Sequence, residues 1–218
     1  MLESVVFEEL ARASGKGLAV VFDCDGVLVD SEPASEEAWR RTLTGRGMAI
    51  TAAEFHQWVG RTDRQVAEHY AGRTGVAADV LEEIAAAHLQ NVLSAGLAPF
   101  ADALHCLDAV AGAGLGVAVA SNSPRRRLDA VLAAAGLEGR FTVSVAGDEV
   151  SRPKPAPDVY LAAAEAMTVR PRSCLALEDS PVGIQAAAAA GMWVVAVDRG
   201  IFHPAALVGA NRVVAGER

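Results

Sequence analysis

The chain has 218 residues with a formal net charge of −8, from 19 Lys and Arg against 27 Asp and Glu, and 52% of its residues are hydrophobic. That length allows one large domain or a domain with an insert, and the apolar share is enough for a sizeable core. The acidic balance argues against non-specific nucleic-acid binding, and no run of 18 apolar residues predicts a membrane span.

The first 17 residues carry Glu3, Glu8 and Glu9 and do not read as a signal peptide. Leu2, Val5, Val6, Phe7 and Leu10 predict one or two amphipathic helical turns packed on the outside of the sheet domain. Leu18 to Phe22 is a short unbroken apolar run, the pattern of a strand buried on both faces. It ends at Asp23 and Asp25, two carboxylates spaced i, i+2, followed by Gly26. Parallel α/β sheets bind ligands where strands deliver their carboxyl ends, so both carboxylates are expected in a cleft.

Beyond Asp30 the texture becomes helical. Ser35 is a candidate N-cap for a helix through Leu43. Helical spacing continues over Ala52–Val59, Asp63–Tyr70 and Val80–Leu93. Residues 31–98 are therefore read as a helical insert, with residues 1–30 and 99–218 forming the core domain. The core resumes with a helix from Asp102 and a strand over Gly116–Ala120 that ends at Ser121-Asn122-Ser123. Pro124 opens the next helix, and Phe141–Ala146 predicts a third strand. Lys154 follows between two prolines, and Pro157 opens another helix. Cys174–Leu177 is a fourth strand ended by Glu178 and Asp179, and Ser180-Pro181 starts a helix. Trp193–Val197 and a short run at Arg212–Val214 complete the strands. Strands alternating with helices predict an α/β fold: a Rossmann-like parallel sheet with helices on both faces. No GxGxxG follows the first strand, which disfavours a dinucleotide site.

Asp23 with Asp25, Ser121, Lys154, and Glu178 with Asp179 all fall at strand ends or in the loops that follow. Taken singly, each has a plain reading: a polar turn, a helix cap, an exposed lysine, acids in a first helical turn. A parallel sheet brings all four to one edge. Crowded carboxylates need a cation, and an all-oxygen set suits Mg²⁺. Lys154, one of only two lysines, supplies a point charge for a phosphate, and amides near Asn122 and Ser123 are expected to face an anion. These are the parts of a phosphoryl-transfer site. The cysteines, Cys24, Cys106 and Cys174, are too scattered for a disulfide framework and suggest a reducing compartment. The five histidines lack zinc-ligand spacing and read as surface or capping residues.

Asp23-Cys24-Asp25-Gly26-Val27 and the later motifs resemble the haloacid dehalogenase superfamily, and within it the sugar-phosphate phosphatases and β-phosphoglucomutase-like enzymes. That resemblance implies an inserted α-helical cap domain between the first and second core motifs. It implies Asp23 as nucleophile, Asp25 as general acid and base, and Ser121 and Lys154 holding the phosphoryl group. It implies Mg²⁺ held by Asp23, the Asp25 main-chain carbonyl and Asp179, with Glu178 direct or through water. Asn122 and Ser123, and Gly60, Arg61 and Arg64 of the helical insert, are candidate substrate contacts. The expected protein is a cytoplasmic monomer or weak homodimer acting on a small phosphorylated metabolite, with no nucleic-acid or membrane partner.

Branches of that family separate on single positions. The dehalogenases lack the second aspartate, and the phosphonate-cleaving branch needs a lysine that residues 31–98 do not contain. The mutase pattern expects a histidine where Ser35 stands, a lysine where Pro124 stands and an arginine where Asp63 stands. A phosphatase is favoured, a mutase is the alternative, and a non-catalytic binding protein of the same fold is the third reading.

Overall fold

A computed structural model describes residues 2–12, 18–58 and 62–217. The expected contacts Gly60 and Arg61 lie outside these residues. Spatial clustering divides the chain into two compact units, one built from the segments up to Asp30 and from Ala98 onward, the other from Ser31–Leu97.

The first unit begins with α1 (Leu2–Arg12) and β1 (Ala19–Phe22). The second holds α2 (Glu32–Thr44), α3 (Ala52–His56), α4 (Asp63–Thr74) and α5 (Ala78–Leu93). The first unit then continues with α6 (Ala101–Gly112), β2 (Gly116–Ala120), α7 (Arg125–Ala134), β3 (Val143–Val145), α8 (Asp158–Ala166), β4 (Cys174–Glu178), α9 (Pro181–Ala189), β5 (Trp193–Asp198) and β6 (Arg212–Ala215). Among the described residues the sheet has six strands, all parallel, in the order β3-β2-β1-β4-β5-β6. β1 is therefore central, and Phe22 lies level with Val119 of β2 and Leu177 of β4. That register sets Asp23 beside Glu178, and the Asp23 amide extends the ladder by donating to the Leu177 carbonyl at 2.9 Å.

Side chains of a strand alternate between faces. Ala19, Val21, Ala118, Ala120, Ala176, Val194 and Ala196 form one buried cluster with α8 and α9 residues such as Tyr160, Ala163 and Ala186. The alanines explain how α9 lies close to the strands, as its run Ala186 to Ala190 suggested. The alternate residues, Val20, Phe22, Val117, Val119, Leu175 and Leu177, are buried as well. On that side α1 packs against α6 and β4. α1 is longer than the one or two turns expected, because Leu2, Val6, Glu9 and Leu10 are all buried.

The helical unit has its own core of Trp39, Leu43, Phe55, Val66, Tyr70, Leu81 and Ala85. Its helices α3 and α4 each start on a capping box, Thr51 with Glu54 and Thr62 with Gln65. The expected cap at Ser35 is a correction. α2 begins a turn earlier, with Ser31 at the N-cap position, because Pro33 presets a helical φ in the first turn. Ser35 is inside the helix, and its hydroxyl donates to the Ser31 carbonyl at 3.1 Å. The third strand is also shorter than its apolar run, although Thr142 still donates to the Val117 carbonyl.

Candidate active site

The turn after β1 is closed by its own backbone. Gly26 donates to the Val29 carbonyl at 2.8 Å, and Leu28 and Val29 both donate to the Cys24 carbonyl. Gly26 has φ +85°, and a Cβ at that position would sit 2.0 Å from Asp179 Oδ2. Only glycine satisfies both the backbone and the approach. Gly183 has a similar role at the start of α9, where a Cβ would stand 1.8 Å from Glu178 Oε1.

Lys154 is the centre of the site. Its ammonium donates to Asp23 Oδ1 and to Glu178 Oε1, both at 2.6 Å. It lies 4.8 Å from the centroid of the Tyr160 ring. Tyr160 Oη donates to the same Glu178 oxygen at 2.6 Å. The other Glu178 oxygen accepts from the Asp179 amide, the Ser180 amide and the Ser180 hydroxyl. Ser180 also caps α9 through the Gly183 amide. Glu178 is thus a fully satisfied buried carboxylate, as burial of such a group demands.

Asn122 holds the main chain of Lys154. Its Oδ1 accepts from the Lys154 amide at 2.8 Å and its Nδ2 donates to the Lys154 carbonyl at 3.2 Å. Ser121 is buried, and its hydroxyl oxygen accepts from the Ser123 amide at 3.0 Å. The Arg125 amide donates to Asp148 at 2.8 Å. Of the amides expected near Asn122 and Ser123 to face an anion, that of Ser123 thus already has a side-chain oxygen of the chain as its partner. Ser123 Oγ donates to Asp25 Oδ2 at 3.1 Å, and Arg127 Nη2 is 3.9 Å from Asp25 Oδ1.

Asp23, Glu178 and Asp179 each bring one carboxylate oxygen within 4.8 Å of the others. The Asp25 carboxylate faces Ser123 and Arg127 instead. Burial pushes Asp23 up to about 8, with Lys154 pulling it down and Glu178 and Asp25 pushing it up. Burial, then Glu178 and Asp23, hold Asp179 well above the ordinary carboxylate range. Burial alone would lower Lys154, but Asp23 and Glu178 outweigh it and keep the ammonium charged. Burial, then Asp25 and Asp23, keep Cys24 a thiol. One ammonium facing three carboxylates leaves a deficit of positive charge. An all-oxygen, acid-rich donor set of this kind fits Mg²⁺.

In the helical unit Arg64 is 52% exposed and paired with Glu68 at 2.8 Å and Glu82 at 3.8 Å. Asp63 Oδ1 accepts from Trp39 Nε1 at 2.9 Å. His88 faces the Thr42 hydroxyl and His203 caps the Ala205 amide, as residues without metal-ligand spacing do.

Tyr160 and Arg127 join the site without a motif in the sequence that marks them. The signal for Tyr160 is its position in the first turn of the helix that follows Lys154-Pro155-Ala156-Pro157. The signal for Arg127 was its place in the run Arg125-Arg126-Arg127 behind the second strand's end.

The family model of the haloacid dehalogenase-like hydrolases matches residues 18–191. The chain belongs to that family. It is 32% identical over 175 residues to the fructose-1-phosphate phosphatase YqaB of Escherichia coli, covering 79% of this chain and 92% of that protein. A Thermotoga maritima protein assigned as a β-phosphoglucomutase superposes with TM-score 0.78 at 29% identity, covering 91% and 94% of the two chains. The chain is also 35% identical over 189 residues to the Arabidopsis thaliana protein SUPPRESSOR OF QUENCHING 1, chloroplastic; that match covers 84% of this chain and 18% of the relative's length.

Proposed function

We propose that the chain is a Mg²⁺-dependent phosphatase that hydrolyses a small phosphorylated metabolite, a sugar phosphate or similar monoester, through an aspartyl phosphate on Asp23. The observation that carries this reading is the buried Lys154 ammonium joined to Asp23 and Glu178 at 2.6 Å, with Asp179 completing an acidic trio. The named phosphatase among the relatives supports the substrate class.

Asp23 would hold Mg²⁺ with Asp179 and the Asp25 main-chain carbonyl, and Glu178 would act from behind them. When bound, Mg²⁺ neutralises charge that builds on the transferring phosphoryl group. Lys154 and the Ser121 hydroxyl would orient that group so that Asp23 attacks phosphorus in line. The bond to the leaving alkoxide breaks as Asp25 gives it a proton. Asp25, now a carboxylate, takes a proton from water. That water attacks phosphorus, breaks the bond to Asp23 and releases inorganic phosphate.

The mutase reading has the Thermotoga neighbour in its favour. Three positions stand against it. Ser35, Asp63 and Pro124 occupy the places of a histidine, an arginine and a lysine, and Ser35 and Asp63 are already bonded to Ser31 and Trp39. The test is phosphate release from a panel of sugar phosphates with Mg²⁺ and with EDTA. The expected result is Mg²⁺-dependent release from fructose 1-phosphate, β-glucose 1-phosphate or a related ester. Isomerisation of β-glucose 1-phosphate stimulated by a bisphosphate primer, with little phosphate release, would reverse the ranking. No turnover on any ester would leave the binding-protein reading.

A further inference from the structure

The mechanism above makes no use of one buried ion pair. Arg199 follows β5 and Asp102 lies in the first turn of α6, and both are almost fully buried. Their contact is bidentate, Nη1 to Oδ2 and Nη2 to Oδ1, each at 2.9 Å. The remaining capacity of the guanidinium goes to main-chain carbonyls. Nε donates to Gly26 O at 3.3 Å and Nη2 to Val27 O at 3.1 Å, while Nη1 also reaches Glu217 O. The guanidinium carbon stands 3.8 Å from the centroid of the Phe100 ring. Phe100 in turn donates its amide to Leu28 O at 2.9 Å, and Val29 bridges Pro99.

A planar fork is the side chain that can meet two successive carbonyls and a carboxylate at once; an ammonium cannot. Asp102 is itself over-determined. It accepts from the Ala103 and Glu217 amides and sits where the positive end of α6 favours a carboxylate. So the guanidinium is anchored before it touches the turn. The two peptides it grips, Gly26–Val27 and Val27–Leu28, lie one peptide plane beyond Asp25.

We propose that Arg199, anchored by Asp102, is a positioning residue. It fixes the Gly26–Val27 peptides, and through them the Asp25 main chain and the direction of the Asp25 carboxylate. The inference rests on the reading of Asp25 given above. Removing the fork would leave the sheet intact and let the turn open locally. A general acid displaced by about 1 Å can lose on the order of a hundredfold in rate.

Two variants separate this from a role in folding. The double variant Arg199→Met/Asp102→Leu removes both charges together, which proteins often tolerate, whereas removing one strands the other. Arg199→Lys keeps a cation for Asp102 but drops the fork. Amide hydrogen exchange, Tm, Mg²⁺ affinity by calorimetry, and kcat are measured on the intact chain. The expected result is exchange at Gly26, Leu28, Val29 and Phe100 faster by at least about tenfold, with Val119 and Val195 unchanged. Mg²⁺ affinity falls, because the Asp25 carbonyl is displaced, and kcat falls by at least about tenfold with KM little changed. Wild-type exchange and kcat in both variants would overturn the proposal. So would a uniform loss of protection that includes Val119 and Val195, since it would make the pair a fold-stabilising contact only. If the unmutated protein turns over no ester, the phosphatase reading falls, and exchange at the four amides still decides the role of Arg199.

Discussion

The two units hold their polar side chains in opposite ways. In the sheet unit the bonds that matter are buried and distant in sequence, such as Lys154 to Asp23, Asn122 to Lys154 and Arg199 to Gly26. In the helical unit the ion pairs are on the surface: Arg40 and Arg41 with Glu37 and Arg64 with Glu68 within about one turn, and Arg64 with Glu82 across to α5. Buried pairs cannot be broken cheaply, because each partner left behind is a charge without water. Exposed i, i+4 pairs contribute little and rearrange freely. Chemistry needs the first kind of residue and adaptable recognition needs the second. The comparison predicts large losses from single changes in the sheet unit and small ones in the helical unit.

The largest effects belong to the two aspartates of the first turn. Asp23→Asn should bring turnover below detection and leave no acid-stable phosphorylated protein. Asp25→Asn should slow turnover by roughly a hundredfold or more, the usual scale of general acid-base catalysis. Phosphate release and acid-quenched labelling measure both. Equal, mild losses would show that neither aspartate meets the reacting phosphorus and would erase the contrast between the units.

Next comes Lys154→Met. It strands the buried Asp23 and Glu178 carboxylates, which breaking a buried pair makes costly by about 3–5 kcal/mol. A lower Tm that Mg²⁺ partly restores is expected in thermal denaturation. An unchanged Tm would mean the carboxylates are solvated and the comparison is misdrawn.

A pair of glycines sharpens the contrast. Gly26→Ala meets the Asp179 carboxylate at 2.0 Å from a backbone with φ +85°. Gly72, inside α4, has nothing within 4 Å of a Cβ. Gly26→Ala should weaken Mg²⁺ binding and activity sharply. Gly72→Ala should stabilise by roughly 0.5–1 kcal/mol through helix propensity alone. Chemical denaturation and calorimetry read the two.

How far all this was legible in the sequence differs by unit for the same reason. The strand at Ala19–Phe22, the Asp23-x-Asp25 turn and the Glu178-Asp179 strand end were visible because burial on both faces writes an unbroken apolar run. The convergence of Lys154 on Asp23 followed from parallel topology. Tyr160, Arg199 and the Asn122 clamp are not visible, because each depends on which groups meet across more than 15 residues. Ser35 with its following acids has the pattern of a cap, but Pro33 starts α2 a turn earlier. In the helical unit, amphipathic spacing gave the helices, but spacing says nothing about where an exposed arginine ends.

A fourth prediction concerns protons. Burial first, then Glu178 and Asp25, leave the metal-free Asp23 titrating near 8 despite Lys154, and Asp179 is held higher than its ordinary range. A raised carboxylate is protonated below that value, so a divalent cation must displace protons to bind. Mg²⁺ affinity should therefore rise with pH up to about 8 and fall as pH drops below it. Calorimetry in buffers of different ionisation enthalpy should show proton release at pH 7. Affinity flat between pH 6 and 8 would mean the site is already ionised without metal.

The smallest effect is expected at Arg64. Its guanidinium is half exposed, and its partners Glu68 and Glu82 lie on the surface of α4 and α5. Exposed pairing of this kind gives up its partner at little cost, which leaves Arg64 available for the substrate contact expected of it. Arg64→Ala should leave Tm unchanged, raise KM for the preferred sugar phosphate several-fold and spare kcat. For p-nitrophenyl phosphate, which offers nothing beyond its ring, both constants should stay at wild type. A parallel loss on both esters would mean that Arg64 acts through the fold of its own unit. No change on either would assign it to its Glu68 and Glu82 pairs alone, and the proposed substrate contact would have to be sought elsewhere.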